Sequence, residues 1–224
     1  MNRLISICAL FGLYFFSSQL DQFISQQMES ALRSPSGLSA EVWLWGAASF
    51  LNAFIVPPLF TLVFVLKCYF NLTAEEFVSK TESCVNLIYI EFLRSWGKIF
   101  QWSFAFLIPG ILRWFQYLFV PLVVLFDSAY FRGEKDALET SRSLYRRRWK
   151  TLTVLIIGAW IIYPMVSSTV FDQYRIFWTH SWSSLLIGAL DFAVTTITTY
   201  FVVKIFLQIN REVGNELNVP MERH

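Results

Sequence analysis

WLWGAASFLNAFIVPPLFTLVFVL, residues 43–66, contains no charged side chain. A helix rising about 1.5 Å per residue needs roughly 20 mostly apolar residues to cross a hydrocarbon core about 30 Å thick. A helix apolar on every face is either buried in a large protein or embedded in lipid. This run therefore reads as a membrane span. Five more stretches follow the same logic: 4–20 (LISICALFGLYFFSSQL), 93–108, 110–125, 151–170 and 183–206. Spans three and four are separated only by Pro109-Gly110, the strongest kind of helix breaker. A tight hairpin is expected there, with a kinked or re-entrant element as the alternative.

The whole chain supports this reading. Its 224 residues are 55% hydrophobic, 18% aromatic and only 15% charged, with mean hydropathy +0.49. Soluble domains carry about 25% charged residues, so an ordinary soluble enzyme is disfavoured. The apolar content argues against disorder. A net charge of +2 does not supply the dense basic surface that nucleic acid requires. Three cysteines, Cys8, Cys68 and Cys84, lack the spacing of a disulfide framework or metal site. The expected fold is an all-α polytopic membrane bundle of about six spans with amphipathic interfacial helices, forming one domain over 1–224. No cofactor or metal is expected.

Charge sets the orientation. With both termini in the cytoplasm, the inner segments hold Arg3, Lys67, Lys80, Arg94, Lys98, Arg132, Lys135, Arg142, Arg146, Arg147, Arg148, Lys150, Lys204, Arg211 and Arg223. Only Arg33, Arg113 and Arg175 fall outside. The positive-inside rule favours this arrangement. Trp43, Trp45, Trp114, Trp178 and Trp182 then lie near the outer interface, and Trp96 and Trp149 near the inner one. The first span resembles a signal peptide only weakly, because no A-x-A-like cleavage site follows it.

Three segments read as surface helices. Leu20, Phe23, Ile24, Met28, Ala31 and Leu32 form an outer apolar stripe that Ser34-Pro35-Ser36-Gly37 ends. Thr73-Ala74-Glu75-Glu76 is a capping box opening a helix, whose apolar stripe is Val85, Ile88, Tyr89, Phe92, Leu93 and Trp96. In the third, Ala137, Leu138, Ser141, Leu144 and Tyr145 share one face. Residues 129–150 also carry a basic elbow, Arg142, Arg146, Arg147, Arg148 and Lys150. Each such cation near anionic lipid contributes about 1 kcal/mol, so the elbow is a candidate headgroup site as well as a topology signal.

Two stretches carry a family resemblance. One is Ile108-Pro109-Gly110, followed by an aromatic span with Pro121. The other is Ala137-Leu138-x-x-Ser141-x-x-Leu144, followed by basic residues and Trp149. Over about 70–170 the chain resembles the bacterial membrane-domain family of glycerophosphoryl diester phosphodiesterases and its stand-alone YciC-type inner-membrane relatives. The resemblance implies a six-helix inner-membrane domain. Residues 1–224 are not expected to include the separate soluble phosphodiesterase domain that the enzymatic members carry.

No catalytic constellation is legible: only His180 and His224 are available, without G-x-S-x-G, H-E-x-x-H or a P-loop. The unusual residues are polar ones inside spans. Asp191 lies about 12 Å deep, counted at about 1.5 Å per residue, and an intramembrane carboxylate is a functional-site candidate by default. Thr195 and Thr198 follow on its face. Asn52 and Tyr163 fall at a similar level, and Arg113 lies near the outer end of span four. Pro57-Pro58 frees backbone carbonyls in span two. The expectation is that Asp191 pairs with Arg113 or bonds to Asn52, Tyr163 or a threonine.

The function expected from these features is that of a non-enzymatic accessory or scaffold subunit. Its partners would be anionic lipids and a further protein or a second copy. The alternative is a small transporter or lipid-handling protein using a polar cavity near Asp191.

Overall fold

The computed structural model describes residues 3–33, 39–68, 74–105, 107–171, 174–176 and 180–217. The expected turn at Ser34–Gly37, the cap residue Thr73 and His224 lie outside them. The described elements are α1 (Arg3–Leu32), α2 (Ala40–Cys68), α3 (Ala74–Ala105), α4 (Leu107–Gln116), α5 (Val120–Phe126), α6 (Ser128–Phe131), α7 (Ala137–Arg147) and α8 (Trp149–Ile156). A π-helical segment (Ile157–Ile162), α9 (Tyr163–Phe171) and α10 (Ser181–Leu217) complete them. No strand occurs among the described residues.

Among the described residues, five helices are long and apolar enough to cross a membrane: Ile7–Leu32, Ala40–Lys67, Ile108–Phe126, Trp149–Phe171 and Ser181–Val213. The expected third span, 93–108, is not among them. Residues 93–105 of it belong to α3, where Arg94 and Lys98 interrupt the apolar run. Large apolar side chains stand open on the described surface, with Phe104 at 91% and Trp182 at 82% exposure. In water such surfaces are unfavourable by roughly 25 cal/mol per Å²; lipid removes that cost.

The chain forms two compact units, one of residues 1–78 with 161–196 and the other of 79–160 with 197–224. In the first, α1 packs along α2. Rings of Phe11, Tyr14, Phe60 and Phe192 meet at centroid distances of 5.4–6.3 Å. Phe15 fills the space beside Gly188, where an added Cβ would sit 2.6 Å from the ring. The expected first span and the outer amphipathic segment are one continuous helix, α1. Gln19, Asp21 and Gln22 are polar but are not helix breakers, so the run continues through them.

In the second unit, α3 buries Cys84, Ile88, Glu91, Ser95 and Ile99, a heptad-like stripe. This is rotated from the expected face: Leu93 is 62% exposed, and the half-polar stripe wins because Glu91 and Ser95 find partners. α6 ends on Gly133 at φ +72°. The Gly133 and Glu134 amides bond back to Tyr130 and Ala129 at 2.9 and 3.0 Å, a Schellman closure that needs a residue tolerating the left-handed region.

Pro109-Gly110 is not the turn itself; both residues lie within α4. Proline is tolerated in a first helical turn, where its missing N–H has no helical partner to lose. The chain nevertheless folds back here. A Cβ on Gly110 would lie 3.0 Å from Ser103 Cα, whereas a continuous helix would separate these residues by about 10 Å along its axis.

Candidate functional site

Polar groups inside apolar helices must find partners or lose free energy. The densest set in the first unit surrounds Asp191, which is buried in α10. Its cation is Arg175, on the segment between α9 and α10. Arg175 Nη1 donates to Asp191 Oδ2 at 2.5 Å, and Nη2 reaches Oδ1 at 3.4 Å. The two side chains are 14% and 8% exposed. Tyr163 Oη donates to Asp191 Oδ1 at 2.6 Å, and Arg175 Nη2 donates to Ser167 Oγ.

The backbone of Arg175 is held as well. Its carbonyl accepts from Ser184 Oγ at 2.7 Å and from Gln19 Nε2 at 3.2 Å. Arg175 Nε is buried without a partner. The local reason for this arrangement is helical spacing. Tyr163 and Ser167 are i and i+4 on α9, and Ser184 and Asp191 are i and i+7 on α10, so each pair shares a face. Just before Tyr163 the π segment replaces the regular ladder. Pro164 has no N–H for the Trp160 carbonyl and its ring crowds that oxygen, so the register widens.

The structure redistributes the expected cluster. Tyr163 and Asp191 are brought together. Arg113 is not the partner of Asp191: it donates to Gln116 Oε1 at 3.1 Å and lies 4.9 Å from the Trp102 ring centre, both in the second unit. Arg113 finds Gln116 on its own helix and Trp102 on α3, whereas Arg175 sits on the segment between α9 and α10. Asn52 exchanges bonds with Ser17, accepting from its Oγ at 3.1 Å and donating to its carbonyl at 3.2 Å. Thr195 donates to Tyr14 Oη at 3.4 Å, and Thr198 is buried. Sequence reasoning missed Arg175, Ser167, Ser184 and Gln19. The available signal was the i,i+4 and i,i+7 spacing of the hydroxyls.

The second unit holds the elbow. The N-cap of α7 is Asp136, whose Oδ1 accepts from the amides of Leu138 and Glu139 at 2.9 and 3.1 Å. Asp136 also pairs with Arg94. Burial alone would raise the Asp136 carboxyl, but the Arg94 bond and the two amides outweigh it and hold the group below its ordinary value. Arg94 also reaches Glu91 at 3.2 Å, and Tyr130 Oη donates to Glu91 at 3.2 Å.

α7 buries Ala137, Leu138, Ser141, Leu144 and Tyr145, the face read from its periodicity, and packs on α4 and α5. At its far end Arg148 leaves helical geometry at φ −130°. Tyr145 Oη and Thr153 Oγ1, 2.7 Å apart, clasp the corner. Arg148 pairs with Glu212 at 3.0 Å and Arg142 is half-buried. Arg146, Arg147 and Lys150 are exposed. Lys150 Nζ lies 5.8 Å from the ring centre of Trp149, which is itself half-exposed. The corner therefore offers three outward cations and an indole to whatever lies against it.

Compared with protein-family models, curated proteins and solved structures, the chain has no match.

Proposed function

We propose that this chain is a non-enzymatic multi-pass protein of the bacterial inner membrane, with both termini cytoplasmic, acting as an accessory or scaffold subunit. Its basic elbow sits on anionic lipid headgroups. The observation that carries the reading is the α7–α8 corner, where Arg146, Arg147 and Lys150 face outward beside Trp149. Cations with an interfacial indole are the groups that favour a headgroup layer. Two other charges are matched within the protein: Arg148 meets Glu212, and Asp191 meets Arg175. An intramembrane charge matched from within the protein serves packing. This weighs against the alternative of a small transporter or lipid-handling protein working at Asp191.

We also propose kinship with the membrane-domain family named above. Support comes from the packing of Ser141 and its α7 face on the aromatic span that follows Pro109-Gly110. The test is lipid retention by the purified protein, measured by native mass spectrometry. Phosphatidylglycerol should be retained over phosphatidylcholine. A triple Arg146→Gln, Arg147→Gln, Lys150→Gln variant should lose roughly a hundredfold in that preference, at about 1 kcal/mol per cation. Equal retention by both proteins removes the elbow from the function.

A further inference from the structure

We infer that α3 and α4 form a re-entrant hairpin that dips into the cytoplasmic leaflet, takes acyl chains of that leaflet on its apolar tip, and leaves on the side it entered. The inference rests on the membrane reading and orientation proposed above, and not on the elbow. It replaces the two crossings expected at 93–108 and 110–125. Removing two crossings leaves both termini on the same side as before.

The middle of the candidate span Ile108–Phe126 lies at the wrong level for a crossing. The helix is interrupted there: α4 stops at Gln116 and α5 starts at Val120. Ser141 Oγ fills the break, donating to the Gln116 carbonyl at 2.8 Å and accepting from the Phe119 amide at 3.2 Å. Beside it the rings of Phe115 and Tyr145 stack at 6.5 Å. Ser141 and Tyr145 both belong to α7, whose outward face is polar: Glu139, Ser143, Arg146 and Arg147 are exposed. The N-cap of α7 is held by the half-open pair of Asp136 and Arg94. Charged side chains against acyl chains are costly, so α7 lies in water or among headgroups. Tyr145 is also only three residues, about 4.5 Å along the axis, from Arg148. That arginine meets Glu212 in the polar end of α10, after Gln208, Asn210 and Arg211. A helix crossing from 108 to 126 would place 115–119 at the bilayer centre. α7 instead holds these residues at the cytoplasmic surface.

From that surface the hairpin projects. Phe104 is ten residues beyond Arg94 on α3, about 15 Å along the axis, and Ile108 is eight residues before Gln116 on α4, about 12 Å. Each reach is roughly half of a hydrocarbon core about 30 Å thick: too short to cross, and sufficient to enter one leaflet. The side chains match. Phe100, Phe104, Ile108, Ile111 and Leu112 stand open with no protein over them, and no charge lies between Lys98 and Arg113. Lys98 is exposed near the base, and its flexible stem can carry the ammonium back to the headgroups. Gly110 is buried and a Cβ on it would lie 3.0 Å from Ser103 Cα, so the two arms touch and lipid meets only their outer faces. Arg113 moves to the inner side, three residues from Gln116. Only Arg33 and Arg175 then remain outside among the basic residues, which sharpens the charge asymmetry that orients membrane proteins.

The test places spin labels on single cysteines of the full-length protein in lipid vesicles, with Cys8, Cys68 and Cys84 replaced by alanine. Should that background fold poorly, the buried Cys84 is kept. Collisions with oxygen, which concentrates among acyl chains, are compared with collisions with a water-soluble nickel chelate. An impermeant maleimide applied to intact cells reports the side of each position. The oxygen advantage should rise from Leu112→Cys to Ile108→Cys, because the second lies about 6 Å deeper. Ser143→Cys should be dominated by nickel. Labelling from outside should be lost at positions 108 and 143 and kept at Ser30→Cys. A crossing helix gives the opposite gradient, since position 108 then nears the outer surface. An oxygen advantage that falls from 112 to 108, or outside labelling at 108, overturns the hairpin and leaves the orientation and the elbow standing. Nickel-dominated collisions at 108 with labelling only after the cells are opened put the tip in the cytoplasm, and overturn its insertion. Outside labelling of Ser143→Cys overturns the orientation proposed above, and the choice of leaflet with it.

Discussion

Two arginine–aspartate pairs occupy the two units, and they differ in almost everything but chemistry. Arg175 and Asp191 are 14% and 8% exposed; Arg94 and Asp136 are 48% and 29% exposed. The first pair lies in apolar surroundings, where a single uncompensated charge is very unfavourable. The second is wet, and most of its value lies in what Asp136 does for the backbone of α7. An ion pair is therefore not a unit of stability. Its contribution is set by how much solvent each partner has lost and by which other groups depend on it.

The largest effect should come from breaking the buried pair. Arg175→Met leaves Asp191 without its cation and should lower stability by about 3–5 kcal/mol, the usual cost of orphaning a buried charge. Adding Asp191→Leu should recover most of that loss, because the buried charge is then gone. Unfolding in detergent, followed by denaturant titration, measures both variants. The same substitution at Arg94 should cost about 1 kcal/mol or less. Equal losses at Arg175 and Arg94 would end the comparison.

Next in size is Ser141→Ala. It strands a buried carbonyl and a buried amide in the second unit. Leaving such groups unpaired costs about 1–3 kcal/mol. Substitution of Ser143, which is exposed on the same helix, should be near neutral in the same unfolding assay. A silent Ser141→Ala would mean that the break is satisfied another way.

Smaller again is Asp136→Ala, at about 1 kcal/mol for a lost helix cap. The cap also has a pH signature. The folded carboxyl titrates below its ordinary value, so its contribution is complete above about pH 4, the unfolded value, and fades as pH falls through the lower folded value. Comparing acid unfolding of the parent with Asp136→Asn should show this slope only in the parent. Parallel acid limbs would mean that Asp136 neither caps α7 nor holds Arg94.

Much of this was legible in the sequence for physical reasons. Uncharged runs such as 43–66 announce spans because length and apolarity are all that lipid requires. The buried face of α7 was legible because 3.6-residue periodicity survives in Ala137, Leu138, Ser141, Leu144 and Tyr145. The partner of Asp191 was not. Arg175 lies on a connecting segment, and no local rule says which distant charge such a segment turns inward. Pro109 misled for a related reason: the same residue that breaks a helix also begins one, and only the approach of Ser103 to Gly110 shows which role it plays. The π segment had a visible cause in Pro164 but no visible extent.

The smallest expected effect tests whether the exposed network has a dry corner. Glu91 is only 9% exposed at its side chain, although its partner Arg94 is open to solvent. Tyr130 points into that corner, and its phenol is pushed up to about 12, first by burial, then by the negative charge of Glu91 and the bond to it. Arg94 pulls the other way and is outweighed. A phenol that holds its proton longer in the folded chain than in the unfolded one, where it titrates near 10, leaves stability intact below about pH 10. Stability then falls as pH rises toward 12, because unfolding releases the proton. Tyr130→Phe should flatten that decline while changing little at neutral pH. Phenolate absorbance gives the direct measurement: subtracting the Tyr130→Phe curve from the parent should isolate one phenol titrating near 12, and Glu91→Gln should lower it. If the isolated phenol titrates near 10, Glu91 and Tyr130 are both solvated and the exposed pair has no buried corner.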